Sequence, residues 1–379
     1  MRQTCGIIWF VIMSTTAVSQ SIHNSSMLFV PKSVSIYSDD FENDGFVQNN
    51  GTIEVTGNWN NHQVYQGLGS IILSGTDQSI SNNDQAIEDL LISGGGTKSV
   101  DGKLTINGSI QFAAGIVEVD SRDALLVRKD ASIEGGSASS FVDGALAIEG
   151  TGYKFFPVGR GGSYYPVLLP DVRGMNPTTQ ITAHKDLPFV KTLSPVEVDQ
   201  SVYWTLNTIS GKFNGSRVAV GYHAETDEPE RIVFVVADDV GDEFSIVDND
   251  GFESSNGTDY ITSNEVINQS IIAMGTLPEK PALPGYLSTT MSPNASNPDN
   301  RFIKVFGPDI RSDNFHFHVV NRWGNVIFES RSLADMTTEG WDGRHGGQLV
   351  PAGAYPYRLS YADRKGKAAT VTGFITIIY

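Results

Sequence analysis

From about residue 34 to residue 155 the chain keeps returning to one short unit, a few alternating apolar and polar residues closed off by glycine. Gly51-Thr52-Ile53-Glu54-Val55-Thr56-Gly57 is one copy, Gly69-Ser70-Ile71-Ile72-Leu73-Ser74-Gly75 a second, and Gly102-Lys103-Leu104-Thr105-Ile106-Asn107-Gly108 a third. Alternation at period two gives a strand one apolar face, and the glycines supply its turns. Further runs follow at 87–92, 116–119, 125–127 and 145–148, every ten to twenty residues and with no helical spacer. One such unit cannot bury its apolar face alone, whereas stacked units share a continuous core. The stretch 34–152 is therefore expected to be a short β-solenoid of about five or six coils.

At Tyr153-Lys154-Phe155-Phe156-Pro157-Val158-Gly159 the character changes, and prolines, aromatics and longer strands replace the small units. Strands expected at 167–169, 179–184, 201–206, 217–222, 232–237, 245–247, 260–262 and 271–274 predict an antiparallel β-sandwich over 153–276. Residues 277–290 hold Pro278, Pro281 and Pro284. Proline fixes φ and removes a donor, so this is an extended linker. Residues 291–379 again alternate between strands and Gly or Asn turns, as a compact antiparallel sandwich would. Only 18% of the 379 residues are charged, and no long segment repeats an i, i+3, i+4 apolar pattern. The class is all-β.

Arg2, an apolar run from Ile7 to Met13 and the small residues Ala17-Val18-Ser19 have the layout of a secretory signal peptide over 1–19, followed by a lead-in at 20–33. The run is too short to span a bilayer. Cys5 is the only cysteine, and it falls inside the segment expected to be removed, so the mature chain offers neither disulfide nor thiolate. Charge is unevenly spread. Residues 291–379 hold ten Lys+Arg against eight Asp+Glu, or +2, which leaves −19 of the net −17 for residues 1–290. Without a basic stripe to displace counterions, nucleic acid is excluded as a partner.

The most specific motifs lie near the C-terminus: Met291-Ser292-Pro293-Asn294, Asn321-Arg322-Trp323-Gly324-Asn325, Gly340-Trp341-Asp342-Gly343, Pro351-Ala352-Gly353-Ala354-Tyr355 and Val371-Thr372-Gly373-Phe374. Their order and spacing resemble the gliding-motility-type C-terminal domain, the type B sorting domain of the Bacteroidota type IX secretion system. The resemblance implies an Ig-like sandwich in which Pro293, Asn294, Asn321, Arg322, Trp323, Gly324, Asn325, Trp341, Asp342, Gly343, Gly353, Tyr355 and Gly373 form the sorting motif. It also implies export through the periplasm and the type IX translocon to the cell surface or medium, with a PorP-type outer-membrane protein as a further partner. In that family the opening loop reads F-[ST]-P-N-G-D-G-x-N-D-x-F. Here Ala295, Ser296 and Asn300 replace Gly and Asp positions, which leaves a calcium or tight-turn role without its residues. Upstream, residues 69–80 and 104–112 resemble the right-handed β-helix repeats of Bacteroidota surface proteins. Phe156-Pro157-Val158-Gly159 and Tyr203-Trp204 are similar to the sandwich module that often follows such repeats.

Residues that could carry chemistry are few. Trp323 and Trp341 read as plugs of the small C-terminal core, Asp342 as a turn former ahead of Gly343, and Gly324-Asn325 as a hairpin turn. His316 and His318 have zinc-chelating spacing, but Phe315, Phe317 and Val319 claim the core face and leave the pair outside without a third ligand. Asp248-Asn249-Asp250-Gly251 begins like a calcium loop, yet Phe252 and Asp259 break the spacing, and an acidic hairpin is expected. Glu118 and Asp120 share one strand face, with Asp123 and Glu134 nearby, the type of carboxylate set a glycosidase groove needs. No Gly-x-Ser-x-Gly elbow, phosphate loop or His-Glu-x-x-His sequence occurs. No cofactor, metal or enzymatic activity is expected. The exported part is read as adhesin-like or structural, with surface glycans or host and matrix molecules as ligands. The alternative is a protein that binds or degrades polysaccharide in the solenoid groove.

Overall fold

The computed structural model describes residues 20–120, 125–188, 190–192, 195–222, 229–255, 257–278 and 285–379. The expected signal peptide with Cys5, Asp123, and residues 279–284 of the proline-rich linker lie outside the described residues. The chain packs as two compact units, Met1–Pro278 and Glu279–Tyr379.

In the first unit the strands stack in parallel. Ile22–Asn24, Phe41–Asn43, Trp59–Asn61, Gln78–Ser81, Thr97–Asp101, Ile116–Val119, Val142–Asp143 and Val158–Arg160 follow one another across one sheet. The pairs Ile22↔Phe41, Phe41↔Trp59, Trp59↔Ile80 and Thr97↔Ile116 show the chain returning after 19, 18, 21 and 19 residues. A second parallel sheet runs through Ser35–Ser38, Thr52–Val55, Ser70–Leu73, Ala86–Ile92 and Leu104–Phe112. A short third one joins Met27–Val30, Phe46–Asn49 and Val64–Gln66. The stretch 20–33, which the sequence presents as a lead-in, thus supplies strands of the first coil. It contains no glycine, so the pattern that marks the later coils is missing from it.

Inward residues stack on their own equivalents. Ile53, Ile71, Leu90 and Ile110 form one buried ladder. Phe41 and Trp59 lie ring on ring at 4.4 Å and 6°, with Tyr65 edge-on to Trp59 at 5.4 Å, contacts that add to plain area burial. Polar groups at the corners are satisfied in the same way. Asn24 Nδ2 donates to Asn43 Oδ1 at 2.7 Å and Asn43 Nδ2 to Asn61 Oδ1 at 2.6 Å, so each buried amide finds its partner one coil along. Lys98 is fully buried, and its ammonium donates to the carbonyls of Gly75, Thr76 and Gly95, which uses all three of its protons. Burial nonetheless pushes its pKa below the usual lysine range. Close stacking also explains Gly67. With φ at 128°, it sits where an added Cβ would strike the Asn49 carbonyl.

The core does not break at residue 153. Ala145–Glu149 continues the second sheet in parallel from Leu125–Val127 and then pairs antiparallel with Val167–Lys185, with Leu146 opposite Ile181. The sheet runs on through Glu197–Gly215, Ile271–Thr276, Ile232–Ala237 and Glu243–Ser255. One hydrophobic core extends from Val30 to Met274. The runs expected as separate strands at 167–169 and 179–184 belong to a single strand, whose first half also pairs with Gly152–Phe156 and Ala219–Gly221 in another sheet. Asp248-Asn249-Asp250-Gly251 is not the expected hairpin. It is a bulge, with Gly251 at φ 111°, where Glu243–Ser255 leaves Ile232–Ala237 and joins Thr258–Ser263. Asn249 Nδ2 pins it to the carbonyls of Pro229 and Ile232 at 3.0 and 2.7 Å. A bulge lets one strand serve two sheets, and no sequence pattern announced it.

The second unit holds a five-stranded sheet in the order Thr290–Met291, Ala368–Ile377, Gly353–Ala362, His316–Val320, Val326–Ser330. Tyr286–Leu287 pairs with Val305–Phe306, and the helix Leu333–Thr338 is capped by Ser332. This unit therefore starts ahead of residue 291. The all-β reading, with solenoid-like stacked strands and a sheet-rich C-terminal region, holds throughout.

Candidate recognition surface of the C-terminal unit

The sorting-motif residues divide into those that build the unit and those that it displays. Trp341 is 1% exposed. Its ring stacks on Phe328 at 5.6 Å and meets Tyr355 edge-on at 6.5 Å, and its Nε1 donates to the Arg344 carbonyl at 3.0 Å. Asp342 Oδ1 accepts from the Arg344 amide at 3.0 Å, which is the turn role its place before glycine implies. Gly343 has φ 75°. Tyr355 anchors its hydroxyl on the Pro351 carbonyl at 2.7 Å, and Gly353 opens the strand that pairs with Ile377. Gly373 lies opposite Tyr357, and a Cβ there would come within 2.9 Å of that ring. The tyrosine thus covers the backbone that glycine leaves bare.

In the opening loop, Pro293 and Asn294 occupy a turn closed by the Ala295 amide on the Ser292 carbonyl at 3.0 Å. Arg301 Nε donates to the Ala295 carbonyl at 2.7 Å, and Asn297 caps the short helix Pro298–Arg301.

Trp323 corrects the sequence reading. It does not plug the core but is 75% exposed. The Asn321 side-chain oxygen accepts from the amides of Trp323 and Asn325, both at 3.0 Å, and the Asn321 amide donates to the Asn325 carbonyl at 2.9 Å. Gly324 supplies φ 82°. The expected turn is therefore present, and its closure fixes the backbone while Trp323 points outward. The Arg322 guanidinium lies 5.1 Å from the centre of the indole ring, in cation–π range. The turn joins two strands that contribute to a row of apolar side chains on the outer sheet face. Val326 pairs with Val320, and Pro356 with Phe374; Val320 and Pro356 adjoin one residue past the Val319↔Tyr357 pair. Phe374 is 64% exposed and Val326 49%. Strand alternation produces the row, because Val319, Tyr357 and Ile375 take the core side.

The next row on this face is polar: Glu329, His318, Arg358 and Thr372. His316 Nε2 lies 2.8 Å from Glu329 Oε1, so the histidine pair has a carboxylate neighbour that sequence spacing did not reveal. Partial burial, together with the nearby His316 and Arg358 charges, holds His318 below the usual imidazole range, and its Nδ1 is buried with no hydrogen-bond partner among the described residues.

In the first unit, Glu118 and Asp120 line a shallow groove with Ser99, Asp143 and Arg160. Asp143 is occupied by the Gly161 amide at 2.7 Å and by Arg160 at 3.5 Å. Glu134 lies on the other parallel sheet, paired with Gln111, so the fold separates it from Glu118 and Asp120, which share the groove. Asp123 lies outside the described residues.

No curated protein matches this chain. The family model described as the CHU_C type IX secretion signal domain matches residues 286–377, the span that begins at the first strand of the second unit. Residues 286–377 are a type IX secretion signal domain, and the chain that carries it is a secreted protein of the cell surface or extracellular space.

Proposed function

We propose that the second unit is read by the export machinery through Arg322, Trp323 and the apolar row Val326, Val320, Pro356 and Phe374, and that the first unit is adhesin-like or structural cargo with no catalytic role. The exposure of Trp323 carries this reading. A tryptophan held outward by a closed turn costs apolar surface left in water, and recognition surfaces favour aromatic and arginine anchors of this kind. A PorP-type outer-membrane protein is a partner suited to the same face after export. The direct test is Trp323→Ala combined with Phe374→Ser, followed by fractionation. The expected result is a folded chain that accumulates in the periplasm. Wild-type surface levels would refute the assignment of the face.

For the cargo, the first unit offers the outward faces of its stacked parallel sheets as binding surface. Surface glycans or host and matrix molecules are the ligands in view. One observation supports the second reading, a polysaccharide-binding groove: Glu118 and Asp120 share their groove with Asp143. A glycan array probed with the exported protein, against Glu118→Gln, separates the two. Variant-sensitive binding or turnover supports the groove, and its absence supports the structural reading.

A further inference from the structure

The first two coils bring together, on the outer face of the long parallel sheet, side chains that lie far apart in sequence. His23 is the register neighbour of Glu42. Asp44 follows the strand Phe41–Asn43, and His62 occupies the equivalent place one coil further on, after Trp59–Asn61. The histidines approach Asp44 from two sides, His23 Nε2 at 2.8 Å from Oδ2 and His62 Nδ1 at 3.0 Å from Oδ1. Ligand atoms of His23, Glu42 and Asp44 all lie within 4.8 Å of one another. All three side chains are exposed, so small rotations suffice to bring them to the roughly 3.4 Å separation of ligands around a tetrahedral ion.

We propose that His23, Glu42 and Asp44 form a surface site for a divalent zinc-class ion, with His62 holding the second oxygen of Asp44. An imidazole nitrogen beside two carboxylates suits zinc and its neighbours in the transition series, whereas calcium and magnesium prefer oxygen alone. Three protein ligands leave the ion an open position for water or for a ligand atom of a bound partner. Because His23 belongs to the first coil and the carboxylates to the second, the ion also clamps the edge strand Ile22–Asn24 to its neighbour. The sequence shows no metal motif here, since the ligands come from turns of a solenoid 19 and 21 residues apart (42 − 23 and 44 − 23).

The experiment is zinc titration by calorimetry of the full, tag-free chain after chelator treatment, with backbone hydrogen exchange of the strands Ile22–Asn24 and Met27–Val30 as a second readout. The expected result is one zinc per chain, abolished by His23→Ala and by Asp44→Asn, weakened roughly tenfold by His62→Ala, and unchanged in the His316→Ala/His318→Ala variant. Zinc should slow exchange of the first-coil strands in the wild type but not in His23→Ala. The proposal fails if zinc does not bind, if His23→Ala binds it as the wild type does, or if binding follows His316 and His318 instead. The side chains replaced at His23, Asp44 and His62 are exposed, so loss of binding in one of these variants with unchanged thermal unfolding cannot be assigned to misfolding.

Discussion

Two aromatic arrangements show how differently the units use the same alternating strands. In the solenoid, Trp59 is buried against Phe41 of the coil before, and buried amides pair with their own copies. In the C-terminal unit Trp341 is buried among unlike partners, while Trp323, 18 residues earlier (341 − 323), stands in solvent. A repeating chain can satisfy a buried group with its equivalent on the next coil, as Asn24, Asn43 and Asn61 do. The secretion signal keeps one core tryptophan and displays the other.

That contrast can be broken at specific residues. The largest effect is expected from Trp341→Ala, at about 4 kcal/mol of the second unit's stability, seen as an early unfolding transition and loss of exported protein. Asn43→Leu should cost the first unit about 3 kcal/mol in chemical denaturation, because Asn24 Nδ2, Asn61 Oδ1 and the Gly45 amide lose their partner together. Lys98→Met leaves three turn carbonyls without a donor, and about 2 kcal/mol is expected by the same measurement. Trp323→Ala should change stability by less than about 0.5 kcal/mol while lowering export. If it destabilised the unit as Trp341→Ala does, the division between built and displayed residues would be wrong.

A subtler effect concerns His318. Its pKa in the folded unit lies below the ordinary imidazole value of 6.5, so the unfolded chain takes up the proton first. The stability tied to neutral His318 is present above 6.5 and is lost as pH falls from there toward the lower folded value. His318→Gln should flatten the decline in the second unit's unfolding temperature between about pH 7 and 5.

Much of this architecture was legible because its signals are local. Glycine-bounded alternation located the strands around Ile53, Ile71 and Ile106, and turn chemistry located Asn321–Asn325 and Asp342-Gly343. What stayed hidden depends on register. The first coil lacks glycine, the bulge at Gly251 joins sheets that no local pattern connects, and Lys98 reaches the carbonyls of Gly75 and Thr76 only through stacking. Trp323 looked like Trp341 because composition reports apolar area, whereas exposure depends on which side of a closed turn the ring leaves. The row from Val326 to Phe374 is assembled from four strands, so no single segment displays it.

The central claim is that the second unit directs export. Fractionating cells that produce the full chain, beside cells that produce a chain ending at Pro278, tests it most directly. The full chain should reach the cell surface or medium and the shortened chain should remain in the periplasm. Equal surface or extracellular levels of the two would contradict the account.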